Sequence, residues 1–172
     1  MAGSLIKIDE EIVSGAVSSV SLSGIDSTFD VYQVIINNLE CDTDGEDLRC
    51  RVTEGGTPNT TSNYDRSSLI IRTNSSFVNS HATNNTSWDL STNIGTGTGE
   101  GMQVLMYIFN ANNSSEFTFH TKENVEFNST PELLGQQGGG VFTSASSVDG
   151  LNFFMDSGNI DSGNFRLYGL VK

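Results

Sequence analysis

Short runs of apolar residues recur along this chain, and clusters of Gly, Asn, Asp and Ser separate them. Leu48, Cys50 and Val52 alternate with polar residues, which is the period of a strand with one buried face. The dipeptides Asp44-Gly45 and Asp149-Gly150 supply the backbone conformations that tight turns need. The pattern predicts an all-β protein, built as a single antiparallel β-sandwich.

Two runs, residues 31–36 and 104–109, are apolar at both odd and even positions, so they are predicted to be central strands covered on both faces. Further strands are expected at residues 5–8, 18–22, 69–72 and 141–145. Together these give about eight to ten strands, the normal range for one sandwich.

Alternation also suggests which side chains face the core. Phe117 and Phe119 are predicted to point inward, and Thr118 and His120 to point to solvent. Near the end of the chain, residues 151–155 and 165–171 each have one apolar face with a turn between them. These two segments are predicted to pair as neighbouring strands.

The length of 172 residues fits one domain, which we take as residues 1–172. Two long polar stretches, residues 54–65 and 73–93, are expected to be loops. Loops of that length are usually binding loops, so any function carried by loops is expected in these two stretches. The alternative is that both stretches are disordered segments on the surface.

The charge balance limits the partners. The chain has 8 basic and 21 acidic residues, a formal net charge of -13, which would repel nucleic-acid phosphates. The first residues contain no secretory signal pattern, and no apolar run is long enough to span a bilayer. We therefore expect synthesis in the cytoplasm, with no nucleic-acid or membrane partner.

Motifs for catalysis or cofactors give no positive signal. The glycine-rich segments 95–101 and 135–140 lack the lysine and the strand-to-helix context of a phosphate loop. The first is interpreted as a flexible turn at the sheet edge, and the second as a loop or bulge. The acidic cluster at residues 42–47 is a weak calcium candidate that fits a hairpin turn better. We expect no catalytic residue, no cofactor and no bound metal.

Cys41 and Cys50 flank that acidic turn and are expected on one buried face. A four-residue turn would place them opposite each other, and a two-residue turn would place Cys50 opposite Leu39; the sequence leaves both registers open. Cytoplasmic synthesis favours free thiols.

Tyr64 and Trp88 lie in or next to the two polar stretches, where aromatic rings can stack on sugars. They are the candidate glycan-contact residues. The alternative for Trp88 is an indole partly buried beneath a loop.

Three segments resemble a known group of proteins: residues 20–32 (VSLSGIDSTFDVY), 43–52 (TDGEDLRCRV) and 162–170 (SGNFRLYGL). The chain is similar to small virion structural proteins of tailed bacteriophages, especially marine and cyanobacterial phages. The resemblance covers nearly the whole chain, but its motifs are strand and turn motifs. It implies a jelly-roll-like sandwich.

From this resemblance we expect a non-enzymatic protein of the virion that decorates or cements the capsid. Its partners would be the major capsid protein or other virion proteins, together with copies of itself, such as a trimer. The alternative is a receptor-binding module on the tail or fibre that recognises host-surface glycans through Tyr64 and Trp88.

Overall fold

The computed structural model describes residues 4–74 and 77–171. In these residues the chain forms thirteen β-strands arranged in two sheets. The strands are β1 (Leu5–Val13), β2 (Val20–Ser23), β3 (Val31–Cys41), β4 (Leu48–Glu54), β5 (Thr57–Pro58), β6 (Tyr64–Arg72), β7 (Phe77–Asn85), β8 (Trp88–Asp89), β9 (Gly101–Phe109), β10 (Thr118–Phe127), β11 (Leu133–Phe142), β12 (Gly150–Met155) and β13 (Ile160–Leu170).

The large sheet has eight strands in the order β1-β13-β3-β9-β10-β11-β6-β7. The small sheet has the order β2-β12-β4-β5, with the short strand β8 paired to β4. All described pairings are antiparallel. Several pairs are nested: β1 with β13, β2 with β12, β6 with β11, and β9 with β10. The two packed antiparallel sheets confirm the prediction of an all-β protein built as a β-sandwich.

One hydrophobic core lies between the sheets. The residues predicted as the buried face of a strand, Leu48, Cys50 and Val52, are fully buried in β4. The rings of Phe153 in the small sheet and Phe165 in the large sheet lie 5.6 Å apart across it. In residues 4–74 and 77–171, no helix is long and apolar enough to cross a membrane.

The predicted pairing of residues 151–155 with 165–171 is wrong. These segments are β12 and the greater part of β13, which lie in different sheets and face each other across the core. Their alternation does describe two buried faces, but residues 156–159 carry the chain from one sheet to the other.

Strands β3 and β9 confirm the prediction of central strands, because they are neighbours in the middle of the large sheet. The prediction that both of their faces are covered is wrong, because the small sheet covers the inner face only. Val34, Ile36 and Val104 are buried on the inner face, whereas Ile35 and Leu105 are only half-buried on the outer face, the face turned away from the small sheet.

The predicted loop at residues 73–93 is wrong over most of its length. Residues 77–85 form β7, the edge strand of the large sheet, and Trp88–Asp89 form β8. The glycine-rich segment 135–140 also lies within a strand, β11, in place of the expected bulge. Residues 75 and 76 of the predicted loop lie outside the described residues.

The cysteines adopt neither proposed register, because β3 and β4 belong to different sheets and the segment between them crosses the sandwich. Both thiols are free and buried. Burial raises the pKa of the Cys41 thiol to about 11 and also raises the pKa of Cys50. Neither thiol is therefore activated as a nucleophile.

Two glycines of the last strand, β13, are required by its packing and its register. A Cβ on Gly169 would lie 2.3 Å from an atom of the Phe29 ring, so a side chain there would displace a ring that packs edge-on against Tyr32. Gly163 has a φ of +156° and lies inside β13, at a shift in its register with β3. The first glycine allows close packing, and the second allows the irregularity.

Candidate interaction surface and buried polar network

Strand β10 has the opposite orientation from that predicted. Thr118 and His120 are buried on its inner face, and Phe119 is 45% exposed on its outer face, with Phe117 exposed just before the strand. The alternation was identified correctly, but its polar side faces the core. The inversion produces two features: a polar network inside the sandwich and an apolar surface outside it.

The buried network begins at Lys122, which is 4% exposed. Its Nζ donates to the backbone oxygen of Leu90 at 2.6 Å, to Gln136 Oε1 at 3.0 Å and to Asn124 Oδ1 at 3.4 Å. An ammonium has three protons to donate, so all three are used. Lys122 is therefore accommodated by neutral oxygens.

Glu126 lies two residues beyond Asn124 on the same face and is 1% exposed. Its carboxylate accepts from the backbone N–H of Thr92 at 2.8 Å, from Asn124 Nδ2 at 3.1 Å and from Gln136 Nε2 at 3.2 Å. Burial raises the pKa of Glu126 to about 7 and lowers the pKa of Lys122 to about 8. Both shifts follow from the cost of a charge in a low-dielectric interior.

His120 lies beside this network, with its ring centroid 4.4 Å from that of Trp88. Neither ring nitrogen has a hydrogen-bond partner among the described residues. Burial, followed by the charge of Lys122, lowers the pKa of His120 to about 3. The imidazole is neutral at physiological pH and fills space as an aromatic ring.

The structure places both candidate glycan-contact residues in the core. Tyr64 and Trp88 are fully buried, with ring centroids 5.2 Å apart in an edge-to-face arrangement. The Tyr64 hydroxyl donates to the backbone oxygen of Asn59 at 2.7 Å, and Trp88 Nε1 donates to that of Val141 at 3.3 Å. Neither ring offers a face to a sugar, so the glycan assignment is corrected. The alternative for Trp88 was an indole partly buried beneath a loop, and the structure buries this indole completely.

The acidic segment 42–47 is a crossover between the sheets, not the hairpin turn predicted for it. Its carboxylates bind separate backbone groups: Asp42 accepts from the N–H of Asn159 at 2.8 Å, and Asp47 from the N–H of Asn93 at 2.6 Å. Residues 4–74 and 77–171 contain no group of three or more His, Cys, Asp or Glu side chains that could hold a metal ion.

The outer face of the large sheet is the most unusual surface of the protein. Large apolar side chains from four adjacent strands are exposed there, by between 36% and 73% of their surface. We call them the apolar patch: Leu69, Ile71, Phe77, Phe119, Val125, Phe127 and Leu133. The half-buried residues Leu105, Tyr107, Phe109 and Val141 continue the surface between and beside them.

Glycines contribute to the depressions in this surface. Gly135 and Gly139 occupy outward positions of β11, between β10 and β6, and contribute no side chains. A depression of about 490 Å³ is lined by Tyr107, Thr121 and Gln137. A second of about 430 Å³ is lined by Ile35, Gln103 and Val125. Leu105 and Glu123 line both, so the two depressions adjoin.

The patch carries little charge. Among the described outward positions of β6, β7, β9, β10 and β11, Asp65 and Glu123 are the acidic residues, and no lysine or arginine is present. Glu123 accepts a hydrogen bond from Gln137 Nε2 at 2.8 Å. The other half of the face is charged: Lys7 and Arg166 both pair with Glu10 near the β1 edge.

Sequence reasoning missed the patch because it assigned Phe117 and Phe119 to the core. The spacing of Lys122, Asn124 and Glu126, which share the parity of His120, favoured the same wrong orientation, because charged and amide side chains are unusual on a buried face. Comparison of the chain with protein-family models, with curated proteins and with solved structures finds no match.

Proposed function

We propose that this protein is a non-enzymatic structural protein of a tailed-phage virion, acting as a capsid decoration or cement protein. The observation that carries the proposal is the apolar patch. Monomeric soluble proteins seldom expose large contiguous apolar surfaces, and those that occur usually serve association with other proteins. The resemblance of residues 20–32, 43–52 and 162–170 to small virion proteins supports the setting.

The physical properties of the chain suit such a role. A net charge of -13 keeps the free protein soluble despite its apolar surface and keeps it away from the packaged nucleic acid. A cement protein binds a repeating lattice of the major capsid protein, where many modest contacts add up through multivalency. The small sheet and the loops then remain for further contacts.

A receptor-binding role through Tyr64 and Trp88 has no comparable support, because both rings are buried. The polar stretch at residues 73–93 was expected to be a loop that exposes Trp88 to glycans. It is mostly the edge strand β7 and the short strand β8.

The experiment that tests the proposal is the copy number of this protein in purified virions of the phage that encodes it. Quantitative mass spectrometry would be normalised to the major capsid protein and to the portal protein. We expect a copy number near that of the capsid protein. A small multiple of the portal ring would overturn decoration in favour of a tail position, and absence from virions would overturn the virion role.

A further inference from the structure

Three properties of the apolar patch indicate which kind of partner would bind it. The first is charge. Of the 8 basic and 21 acidic residues in the chain, only Asp65 and Glu123 occupy described outward positions on the four strands of the patch and on the adjoining strand β9. A basic partner would find few carboxylates there, and an acidic partner would find no cation. The patch fits a surface that is also apolar and nearly uncharged.

The second property is area. At about 200 Å² for each large side chain, the exposed fractions of the seven patch residues amount to roughly 700 Å². This exceeds the largest apolar patch of a typical monomer, about 300–600 Å². It is close to the roughly 800 Å² that each partner buries in a stable interface.

The third property is shape. Phe77 on the edge strand β7 and Phe119 on β10 project from the sheet, and the two adjoining depressions lie over strands β3, β9, β10 and β11. A surface that carries both projections and recesses can complement a copy of itself about a twofold axis. Two sheets packed face to face in this way lie about 10 Å apart, as they do inside a sandwich.

We infer that the apolar patch binds the apolar patch of a second copy of this chain. The inference rests on the proposed function, since it takes the patch to be the adhesive surface and names its partner. The resulting dimer then presents its two equal small sheets and their loops to the capsid lattice, and two equal binding surfaces are what multivalent binding requires.

The test measures the mass of the purified full chain in solution by size-exclusion chromatography with light scattering, at micromolar concentration. We expect the wild-type chain to have a mass of at least twice 18.5 kDa. The double variant Phe119→Thr/Phe127→Thr keeps strand-compatible side chains but removes two projecting rings from the patch. It should weaken association by at least about tenfold and give the monomer mass.

The matched control is Leu5→Thr/Ile12→Thr, which removes two exposed apolar side chains from β1, outside the patch. Its mass should equal that of the wild type. Circular dichroism confirms that each variant is folded; if the double variant is not, Phe77→Thr on the edge strand β7 takes its place.

Two outcomes would overturn the inference: a monomeric wild-type chain, or an assembly that survives the patch substitution. Both leave the virion copy number untouched. Failure of self-association is therefore distinguishable from failure of the proposed function.

Discussion

Lys122 and Glu126 extend from the same buried face of β10, and the side-chain amide of Gln136 connects them. Gln136 Oε1 accepts from Lys122 Nζ at 3.0 Å, and Gln136 Nε2 donates to Glu126 Oε1 at 3.2 Å. Two buried ionisable groups of opposite charge are thus connected through a neutral amide in the interior of the sandwich. Such a network stabilises the fold only while all of its members are present.

Removing the cation should be costly. In Lys122→Met, the backbone oxygen of Leu90 and Gln136 Oε1 lose their donor, and the buried charge of Glu126 loses its counterpart. We expect the free energy of unfolding to fall by about 3 kcal/mol, measured by urea denaturation. The double variant Lys122→Met/Glu126→Leu, which removes both charges, should be less destabilised than the single variant. Equal or greater loss in the double variant would contradict this account.

Glu126 should make stability depend on pH. Its folded-state pKa is raised from 4.5 to about 7, so the folded protein binds more protons than the unfolded chain between these values. Its contribution is fully present below pH 4.5 and is lost as the pH rises through 7. Glu126→Gln lacks this titration, so its stability relative to wild type should increase across that window. A difference that does not change with pH would show that Glu126 titrates normally.

His120→Leu is expected to stabilise the protein. It removes two buried ring nitrogens that have no described partner, at the cost of an aromatic contact with Trp88, for a net gain of about 1 kcal/mol at neutral pH. The folded-state pKa is lowered from 6.5 to about 3, so the wild type loses stability as the pH falls through that range. The advantage of the variant should therefore grow on acidification.

The matched control for that variant is His81→Leu. His81 is exposed on β7, so this substitution should change the free energy of unfolding by less than about 0.5 kcal/mol. A destabilised His120→Leu protein would mean that the imidazole has a polar partner in the folded state.

Gly140→Ala should be strongly destabilising. A Cβ at this position of β11 would lie 2.6 Å from the backbone oxygen of Asp65, 2.6 Å from His120 Nε2 and 2.9 Å from a carbon of Trp88. Backbone and packed rings cannot all yield, so we expect a loss of about 2–3 kcal/mol in thermal or urea unfolding. Gly15→Ala, where a Cβ would meet nothing within 4 Å, is the control and should be near neutral. Similar behaviour of the two variants would contradict the close packing at β11.

The fold class and the interior strands β3 and β9 could be predicted because their apolar runs are dense and continuous. Strand β10 shows the limit of such reasoning. Alternation gives the period of a strand, but which face turns inward depends on what the rest of the chain supplies as a cover. Here Leu90, Thr92 and Gln136 supply hydrogen-bond partners for Lys122 and Glu126, and no local pattern in β10 reveals them.

Strands β7 and β11 could not be predicted for a different reason. Their sequences, FVNSHATNN and LLGQQGGGVF, are rich in residues that favour turns when considered locally. Each is a strand because a neighbour offers a ladder of backbone partners, with β10 and β6 on the two sides of β11. The candidate site was missed for the same reason: the patch exists only after these strands are assembled beside β10.

The pairing of the first strand with the last places both described ends of the chain together. Leu5 lies opposite Leu170, and the N–H of Val171 donates to the oxygen of Ser4 at 3.1 Å. This meeting point is at the β1 edge of the large sheet, and β13, β3 and β9 separate it from the strands that carry the apolar patch. A fluorophore or fused protein attached at either end would emerge from the same side and leave the patch open. Tagged protein should therefore serve for both the solution and the virion experiments.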